Sequence, residues 1–319
     1  MSFLEVLYFI VPTAILYATP LIFTGIGAVF SERSGVIGLG VEGLMIIGAF
    51  TGIFVNLEFY DVFGESVIWV ALLASLVAGA IFSLLIAVAS ITFRADQTVT
   101  GVAINMLALA LTVFLVKMIY QKGQTDMIEA PINRFEVPIL ADIPFFGPLL
   151  FQNVYSVSIL AFAVAIGAWF VIYKMPFGLR LRAVGEHPMA ADTMGINVAK
   201  IRYIAVMLSG AFAGIGGAVL AQTTSADFSA STVSGQGFIA IAAMIFGKWH
   251  PLGTLGAALF FGLAQTLSIG GNTIPYIQDI PPVFLQILPY VLTILALAGF
   301  IGKATAPKAS GIPYVKGKR

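Results

Sequence analysis

The stretch from Ser66 to Thr92, SVIWVALLASLVAGAIFSLLIAVASIT, carries no charged side chain over its whole length. As an α-helix rising about 1.5 Å per residue it would reach about 40 Å, which exceeds the roughly 30 Å hydrocarbon core of a bilayer. An uncharged apolar run of this length is typical of a transmembrane helix. The stretch therefore predicts an α-helix that crosses a membrane.

The rest of the chain has the same character. Of its 319 residues, 59% are hydrophobic and only 10% are charged, and the mean hydropathy is +1.00. Soluble chains are about 45–50% apolar and about 25% charged, so the shortage of charge is the more telling deviation. Further apolar stretches lie at 6–30, 35–57, 98–119, 154–173, 203–222, 236–247, 253–270 and 283–301. We therefore predict an all-α polytopic membrane protein, a single transmembrane domain over residues 1–319 with about nine transmembrane segments.

One of these stretches, 236–247, differs from the others in length. A helix that spans the bilayer needs about 20 residues, so this stretch is too short to cross unaided. We expect it to be a half-helix or a re-entrant segment.

Lysine and arginine are distributed unevenly among the segments between the apolar stretches. With the N-terminus outside, only Lys117, Lys122 and Arg134 fall on the external side, and the other basic residues of the 16 in the chain fall on the internal side. Basic residues of membrane proteins concentrate on the cytoplasmic side. The predicted topology is N-out and C-in.

Several chemistries are excluded by what the sequence lacks. There is no cysteine, which rules out disulfides, thiolate metal sites and thiol catalysis. The net charge of +1 argues against nucleic acid as a partner. The stretch Gly38–Gly43 has the glycine spacing of a dinucleotide-binding loop but follows no strand, and the chain contains no P-loop motif. We therefore expect a protein that is not an enzyme and holds no metal.

Two longer segments separate apolar stretches. Residues 121–153 form a predicted external loop, whose four prolines favour an extended cap over the outer mouth; a mobile loop is the alternative. Residues 175–200 form a predicted cytoplasmic loop with local structure. Pro188 suits the first position of a helix and Gly195 the position just past its end, so a helix of about two turns is expected between them.

This short helix has a predicted packing side. Ala190, Ala191 and Met194 fall together at three- and four-residue spacing, while Glu186 and Asp192 lie elsewhere. Because so short a helix is unstable alone, it needs a surface to pack on. That surface is either the membrane base of this protein or a partner in the cytoplasm.

Polar residues inside the predicted spans are few. Glu42 lies seven residues past the inner boundary at Gly35, about 10 Å deep if the segment is helical. A carboxylate at such a depth costs on the order of 3 kcal/mol unless it meets a cavity or a partner. Glu42 is therefore either a residue of a solute path or gate, or a structural carboxylate that accepts backbone hydrogen bonds. The uncharged residues that could line a path or join helices are Asn105, Gln222, Gln236 and Gln265.

Four blocks of the sequence resemble the permease family of ABC importers for simple sugars, nucleosides and branched-chain amino acids, and they occur in the family's order. They are SGVIGLGVEGLMIIGAF (34–50), TVTGVAINMLALALT (98–112), FGLRLRAVGEHPMAADTMGINVAKIRYIAVMLSGAFAGIGGAVLA (177–221) and GQGFIAIAAMIFGKWHPLGTLGAALFFG (235–262). Within the family, the chain is most similar to the shorter permease subunits of bacterial nucleoside uptake systems, especially those for guanosine. The resemblance implies an all-α permease domain with some discontinuous helices, placed in the bacterial cytoplasmic membrane as a multi-pass protein.

The resemblance also implies partners. The short inner helix would be a coupling helix that lodges in a groove of a cytoplasmic ABC ATPase, formed by Glu186, His187, Pro188, Ala190, Ala191, Asp192, Met194 and Gly195. ATP and Mg²⁺ would be bound by that ATPase, so this chain would carry no cofactor. A second, longer homologous permease subunit and an extracytoplasmic solute-binding lipoprotein would complete the importer.

The solute implied by the resemblance is a small molecule, a nucleoside. Its path would be lined by Glu42, Asn105, Gln222 and Gln236, and the two oxygens of Glu42 would match the adjacent N–H donors of a guanine edge. A simple sugar or a branched-chain amino acid is an alternative solute. A gradient-driven secondary transporter with Glu42 as proton carrier is an alternative mechanism, although the structured basic inner loop argues against a carrier that works alone.

Overall fold

The computed structural model describes residues 3–138, 141–270 and 305–316, together with positions 284, 287 and 291. The described helices are α1 (Phe3–Arg33), α2 (Val41–Phe63), α3 (Val67–Ala87), α4 (Gln97–Tyr120), α5 (Ser156–Lys174), α6 (Pro176–Glu186), α7 (Pro188–Thr193), α8 (Val198–Leu220), α9 (Gln236–Phe246) and α10 (Pro251–Gly270). Two short antiparallel strands, β1 (Arg134–Phe135) and β2 (Val154–Tyr155), form the described sheet.

The structure confirms an all-α, multi-pass membrane protein. Six described helical stretches are long and apolar enough to cross a bilayer: Leu4–Arg33, Val41–Thr92, Gln97–Tyr120, Ser156–Lys174, Val198–Ser225 and Pro251–Ile269. The stretch Val41–Thr92 contains both α2 and α3, and it includes the uncharged run predicted to be helical. The count of nine segments stays a prediction, because 283–301 lies outside the described residues apart from three isolated positions and α9 has only 11 residues.

The helices pack closely where glycines recur. The four-residue spacing of Gly48 and Gly52, and of Gly210 and Gly214, predicts close approach of helix backbones. This prediction is confirmed: a β-carbon at Gly48 would overlap the carbonyl group of Gly214, and one at Gly210 would overlap that of Gly79. Helix α8 therefore lies directly against the α2–α3 hairpin, and it is buried along most of its length.

The start of α2 differs from the prediction. The apolar stretch was expected to be helical from residue 35, but Gly35 has a positive φ of 88° and α2 begins only at Val41. Glu42 consequently lies in the first turn of a helix, and the continuous helical rise from Gly35 that was used to place it about 10 Å deep is not present. The sequence pattern missed this turn because residues 35–41 are apolar or glycine.

The segment between α4 and α5 is held by hydrogen bonds to the turn that follows α8. The backbone N–H groups of Thr125 and Ile128 donate to the carbonyl oxygens of Phe228 and Ala226, at 3.0 and 2.9 Å. Further along the segment, β1 pairs with β2, which leads directly into α5. The described part of this segment is therefore packed on the protein, and its external position stays a prediction.

The segment between α5 and α8 contains two helices. The predicted helix is present as α7, with Pro188 at its first position and Gly195 at a φ of 80° past its end. The preceding α6 was not predicted. α8 begins at Val198, within the predicted loop 175–200, because the Asn197 side chain accepts the N–H of Lys200 and so caps the helix.

The structure divides the predicted packing side of α7 between two surfaces. Ala191 is buried, with 4% of its surface exposed, and its carbonyl oxygen accepts the N–H of Ile196. Ala190 is exposed, and Met194 is 81% exposed. The two alanines are neighbours, so they project about 100° apart around the helix axis, and here they face different surfaces. α7 therefore packs on the protein's own base through Ala191 and presents Ala190 and Met194 outward.

Candidate functional site

The first turns of α2 and α9 meet at Glu42. Its carboxylate accepts the backbone N–H of Gly235 through Oε1 and that of Gly237 through Oε2, both at 2.7 Å. The N-cap residue of α9, Gly235, has no side chain that could satisfy these N–H groups, so Glu42 caps α9 from another helix. We call this contact of Glu42 with Gly235 and Gly237 the α2–α9 junction.

The backbones themselves are in contact at the α2–α9 junction. A β-carbon at Gly237 would lie 2.6 Å from the Cα atom of Glu42, so only glycine fits there without displacement. The Glu42 side chain is 7% exposed. Its negative charge faces the N-terminal ends of α2 and α9, where the helix dipoles favour an anion. The buried carboxylate is thereby stabilised by backbone dipoles and needs no basic side chain.

Two amide side chains extend the junction to neighbouring helices. Asn105 of α4 accepts the N–H of Gly43 at 2.8 Å and donates to the carbonyl oxygen of Leu39 at 2.9 Å. On the other side, Gln265 of α10 donates to Gln236 of α9 at 2.8 Å. Polar contacts therefore run from α4 through α2 and α9 to α10. The predicted residues Glu42, Asn105 and Gln236 are brought together in this row, and Gln265 joins them.

Gln222 is not part of this group. It follows α8, is fully buried, and accepts a hydrogen bond of 3.1 Å from Asn56 near the far end of α2. Asn56 lies fourteen residues after Glu42, which corresponds to about 21 Å along the helix. The structure therefore separates Gln222 from the other three predicted path residues. Sequence reasoning grouped them because all four are polar residues within apolar stretches.

A second buried acid, Glu32, was missed by sequence reasoning. Its carboxylate accepts the indole N–H of Trp249, which lies in the turn between α9 and α10. The next residue, Arg33, donates through Nε to the carbonyl oxygen of Trp249 at 2.9 Å. Both Lys248 and Trp249 have positive φ values, 55° and 53°, a conformation that is unfavourable for residues other than glycine and needs support from its surroundings. The sequence did show an acid between two apolar stretches. Because Arg33 is next to it, Glu32 was read as part of a charged segment at the membrane boundary and not as a buried residue.

Helix α9 is therefore held at both ends by acidic residues from the first two helices. Glu42 binds its N-terminal N–H groups, and Glu32 with Arg33 binds the turn after its C-terminal end. This arrangement fits a half-helix, because an 11-residue helix cannot reach both sides of a bilayer. Movement of α2 away from α9 has to break the hydrogen bonds at the α2–α9 junction.

The turn after α9 carries one of the two histidines. Burial, and then the charge of Arg33, lower the pKa of His250, so its ring is uncharged near neutral pH. The ring packs beside Tyr173, with ring centroids 4.8 Å apart. Among the residues that the structure describes, no group of three or more His, Cys, Asp or Glu side chains is placed to hold a metal ion.

The predicted coupling residues lie on and around α7. Helix α6, which precedes α7, contacts the chain just before α2. Gly185, at the end of α6, packs so closely that a β-carbon there would overlap the carbonyl oxygen of Arg33. Its own carbonyl oxygen accepts the N–H of Ala309 at 2.9 Å. From Arg33 the chain runs through the turn of residues 34–40 into α2. Helix α7 follows Gly185 by three residues, and its outward surface includes Met189, which is 42% exposed, and Met194.

The chain is similar to known transport permeases. Residues 10–297 match the family model described as "Branched-chain amino acid transport system / permease component". The chain is 60% identical over 319 residues to the guanosine ABC transporter permease protein NupQ of Bacillus subtilis, and 49% identical over 318 residues to the nucleoside ABC transporter permease protein NupC of Lactococcus lactis subsp. cremoris; each match covers 100% of both chains. It is 27% identical to the guanosine ABC transporter permease protein NupP of Bacillus subtilis, over 94% of this chain and 81% of that one. These relatives are permease proteins, and two of them match from end to end.

Proposed function

The chain belongs to the family of branched-chain amino acid transport system permease components, and we propose that it carries nucleosides as the permease subunit of an ABC importer. The resemblance recognised in the four sequence blocks is thereby confirmed at the level of the family. Permease proteins of this kind are not enzymes, and we place ATP and Mg²⁺ on a partner ATPase. Guanosine is the first solute to test.

The observation that carries the solute assignment is the identity of 60% to a guanosine permease protein over the full length of both chains. The identity of 49% to a nucleoside permease protein, also over full length, supports the same class of solute. A nucleoside is neutral, so its passage needs uncharged hydrogen-bonding groups and aromatic surfaces. The chain has 26 phenylalanines and places its polar amides Asn105, Gln236 and Gln265 beside one buried acid.

We propose that the α2–α9 junction closes the solute path in this conformation. Both oxygens of Glu42 accept backbone N–H groups and the side chain is buried, so a solute does not reach the carboxylate while the junction is formed. The geometry supports the structural interpretation of Glu42 over direct recognition of guanine. Opening would separate α2 from α9, and Asn105 and Gln236 would then border the gap.

We propose that α7 is the coupling helix and that it meets the ATPase through Met189 and Met194. These exposed apolar side chains on a short helix fit a protein groove. Movement of α7 would reach α2 through Gly185 and the turn after Arg33, which are in direct contact. In this role α7 lies in the cytoplasm, in agreement with the N-out, C-in topology predicted from the basic residues.

The remaining partners and the location follow as part of the same proposal. Bacillus subtilis contains two relatives named as guanosine permease proteins, which supports a second homologous permease beside this one. A solute-binding lipoprotein would deliver the nucleoside from outside. The complex would lie in the cytoplasmic membrane of a bacterium, with about nine transmembrane segments in this subunit.

Uptake by the complete importer tests the proposal. The chain is expressed together with the ATPase, the second permease and the lipoprotein encoded by neighbouring genes, in a bacterial strain that lacks nucleoside uptake. The entry of labelled guanosine, adenosine, cytidine, ribose and leucine into the cells is then measured. We expect nucleosides to enter, and to enter still when a protonophore is present and ATP is maintained. Entry of ribose or leucine without any nucleoside would refute the solute assignment and leave the permease assignment standing. Loss of uptake with the protonophore would indicate a gradient-driven transporter.

A further inference from the structure

The described C-terminal segment, residues 305–316, lies at the end of the molecule that carries α7 and forms neither helix nor strand. Pro307 and Ala309 are nevertheless buried, and Ala309 has only 6% of its surface exposed. The ends of a chain are ordered only where other parts of the protein hold them. Residues 309–314 carry contacts that hold this segment, and we call them the C-terminal clasp.

The C-terminal clasp is bonded to both helices of the predicted cytoplasmic loop. The backbone N–H of Ala309 donates to the carbonyl oxygen of Gly185, in the last turn of α6, at 2.9 Å. At the other end of the clasp, the Tyr314 hydroxyl donates a hydrogen bond to the carboxylate of Asp192 in α7. The clasp therefore contacts α6 and also α7, the helix proposed to meet the ATPase.

The C-terminal clasp is also bonded to the turn of residues 34–40 that leads into α2. The N–H of Gly311 donates to the carbonyl oxygen of Gly35 at 3.2 Å, and these glycines have positive φ values of 78° and 88°. A β-carbon at Gly35 would lie 3.0 Å from the carbonyl oxygen of Ala309, and one at Gly311 would lie 2.8 Å from the Ile37 side chain. Glycine adopts this backbone conformation without strain and permits so close an approach. The clasp and the turn are therefore fitted to each other.

Arg202 joins the C-terminal clasp and this turn to α8. Its side chain is only 1% exposed. Nε donates to the carbonyl oxygen of Ser34 in the turn, and Nη1 donates to that of Ile312 in the clasp, both at 3.1 Å. A guanidinium is planar and presents its N–H groups in fixed directions, so the two bonds fix the two acceptors relative to each other. Arg202 therefore holds the clasp, the turn and the first part of α8 in one arrangement.

The C-terminal clasp thus stands between α7 and the turn that leads to the α2–α9 junction. Glu42 of that junction lies seven residues after Gly35, in the first turn of α2. A displacement of α7 relative to the turn has to break the hydrogen bonds of the clasp or carry the turn with it. Tightly packed elements pass movement to their neighbours because a close-packed interior does not deform continuously. The clasp therefore gives a physical connection from α7 to the start of α2.

We propose that the C-terminal clasp, held in place by Arg202, transmits movement of α7 to the turn before α2 and so couples ATP hydrolysis to opening of the α2–α9 junction. This inference rests on the proposed function, in which α7 meets the ATPase. Arg202 is a positioning residue in this mechanism, because it acts through the clasp and the turn. Without the clasp, the partner ATPase would continue to hydrolyse ATP but would drive little transport.

The test measures guanosine uptake and ATP hydrolysis together, in the complete importer purified and reconstituted into lipid vesicles. Gly311→Val places a branched side chain against Ile37, at a positive φ that valine rarely adopts, and should detach the clasp from the turn. We expect the guanosine transported per ATP hydrolysed to fall about tenfold, a typical size for coupling between two sites. The rate of ATP hydrolysis and the size-exclusion profile should stay unchanged.

Tyr314→Phe keeps the test decisive if Gly311→Val does not assemble. It removes only the hydroxyl group that bonds Asp192, and we expect the same ratio to fall about threefold because one hydrogen bond is lost. The matched control is Lys316→Ala, an exposed residue of the same segment beyond the clasp, which should keep the ratio of the unmodified importer.

The ratio of guanosine to ATP separates coupling from a structural role. An unchanged ratio in either variant that assembles, including one in which uptake and hydrolysis fall by the same factor, would overturn this inference. An equal fall of the ratio in the control would overturn it as well. If the unmodified importer carries no nucleoside or hydrolyses no ATP, the proposed function fails and this inference fails with it.

Discussion

Replacing Glu42 by glutamine is expected to lower the uptake of all nucleosides by the same factor. The two Glu42 oxygens accept the N–H groups of Gly235 and Gly237, each at 2.7 Å. Glutamine has nearly the same shape, but it offers one acceptor oxygen and turns an NH₂ donor toward the other N–H group. At least one of the two bonds is lost, and the negative charge that faces the two helix ends is lost with it.

The size of this effect follows from the contacts at the α2–α9 junction. A hydrogen bond to a charged group contributes about 1.5–3 kcal/mol, and an anion at a helix N-terminus contributes up to about 2 kcal/mol in a partly buried position. Together these terms put the loss near 3 kcal/mol, which weakens the junction about 150-fold. The solute makes none of these contacts, so its identity should not matter.

This prediction is tested by measuring the competing uptake of guanosine, adenosine and cytidine by the complete importer, with and without the Glu42→Gln change. The matched control is Glu58→Gln, which removes the same charge from an exposed position on the same helix and should leave uptake unchanged. A selective loss of guanosine uptake would contradict this prediction, because it would mean that Glu42 contacts the base directly. Uptake at the level of the unmodified importer would refute it as well, because the junction would then have no part in transport.

Three further predictions concern topology, packing and coupling. A cysteine at Ser66 should react with an impermeant thiol reagent added outside the cell, and one at Met189 should not, because the basic residues predict that α7 is cytoplasmic. Gly48→Val should prevent recovery of folded complex by size-exclusion chromatography, because its side chain would overlap the backbone of α8, and overpacking costs typically about 1–3 kcal/mol. Met194→Asp should leave the complex folded but lower uptake, measured with labelled guanosine, whereas Ala191→Asp should destabilise the subunit itself by placing an unpaired charge in a buried position.

Each of these predictions has a control or a contradicting result. Labelling at Met189 from outside would reverse the predicted orientation. The control for packing is Gly167→Val on α5, where no atom of the described residues outside the adjoining turns of the helix lies within 4 Å of the added β-carbon. Equal loss of complex with that variant would show that valine is harmful for another reason. Normal uptake by Met194→Asp would show that α7 does not dock through this residue. A fully stable Ala191→Asp subunit would contradict the burial of Ala191.

Some of the site was predictable because its signals are local. Pro188 and Gly195 mark the ends of α7 through their own backbone preferences, and these preferences act without any tertiary contact. Glu42 stands out because an acid in an apolar stretch needs a partner wherever the chain folds. The packing side of α7 was not predictable, because Ala190 and Ala191 are the same residue type and only the surface beneath the helix distinguishes them.

The membrane environment and the family of this protein can be read from its composition and from local stretches of sequence. An apolar share of 59% with 10% charged residues is incompatible with a soluble fold, and the four sequence blocks identify the family without any contact between them. These properties depend on composition and on residues that are close together along the chain.

The partners of the buried charged side chains depend on the packing of the helices and were not visible in the sequence. Glu42 meets Gly235 across 193 positions of sequence, Glu32 meets Trp249 across 217, and Arg202 meets Ser34 across 168. Each of these bonds gives a buried polar group a hydrogen-bond partner. A polar group in an apolar environment needs such a partner, but the sequence around it does not say which residue will provide it. The choice depends on how α8, α9 and α10 pack against α1 and α2, and that packing is set by the shapes of many side chains together.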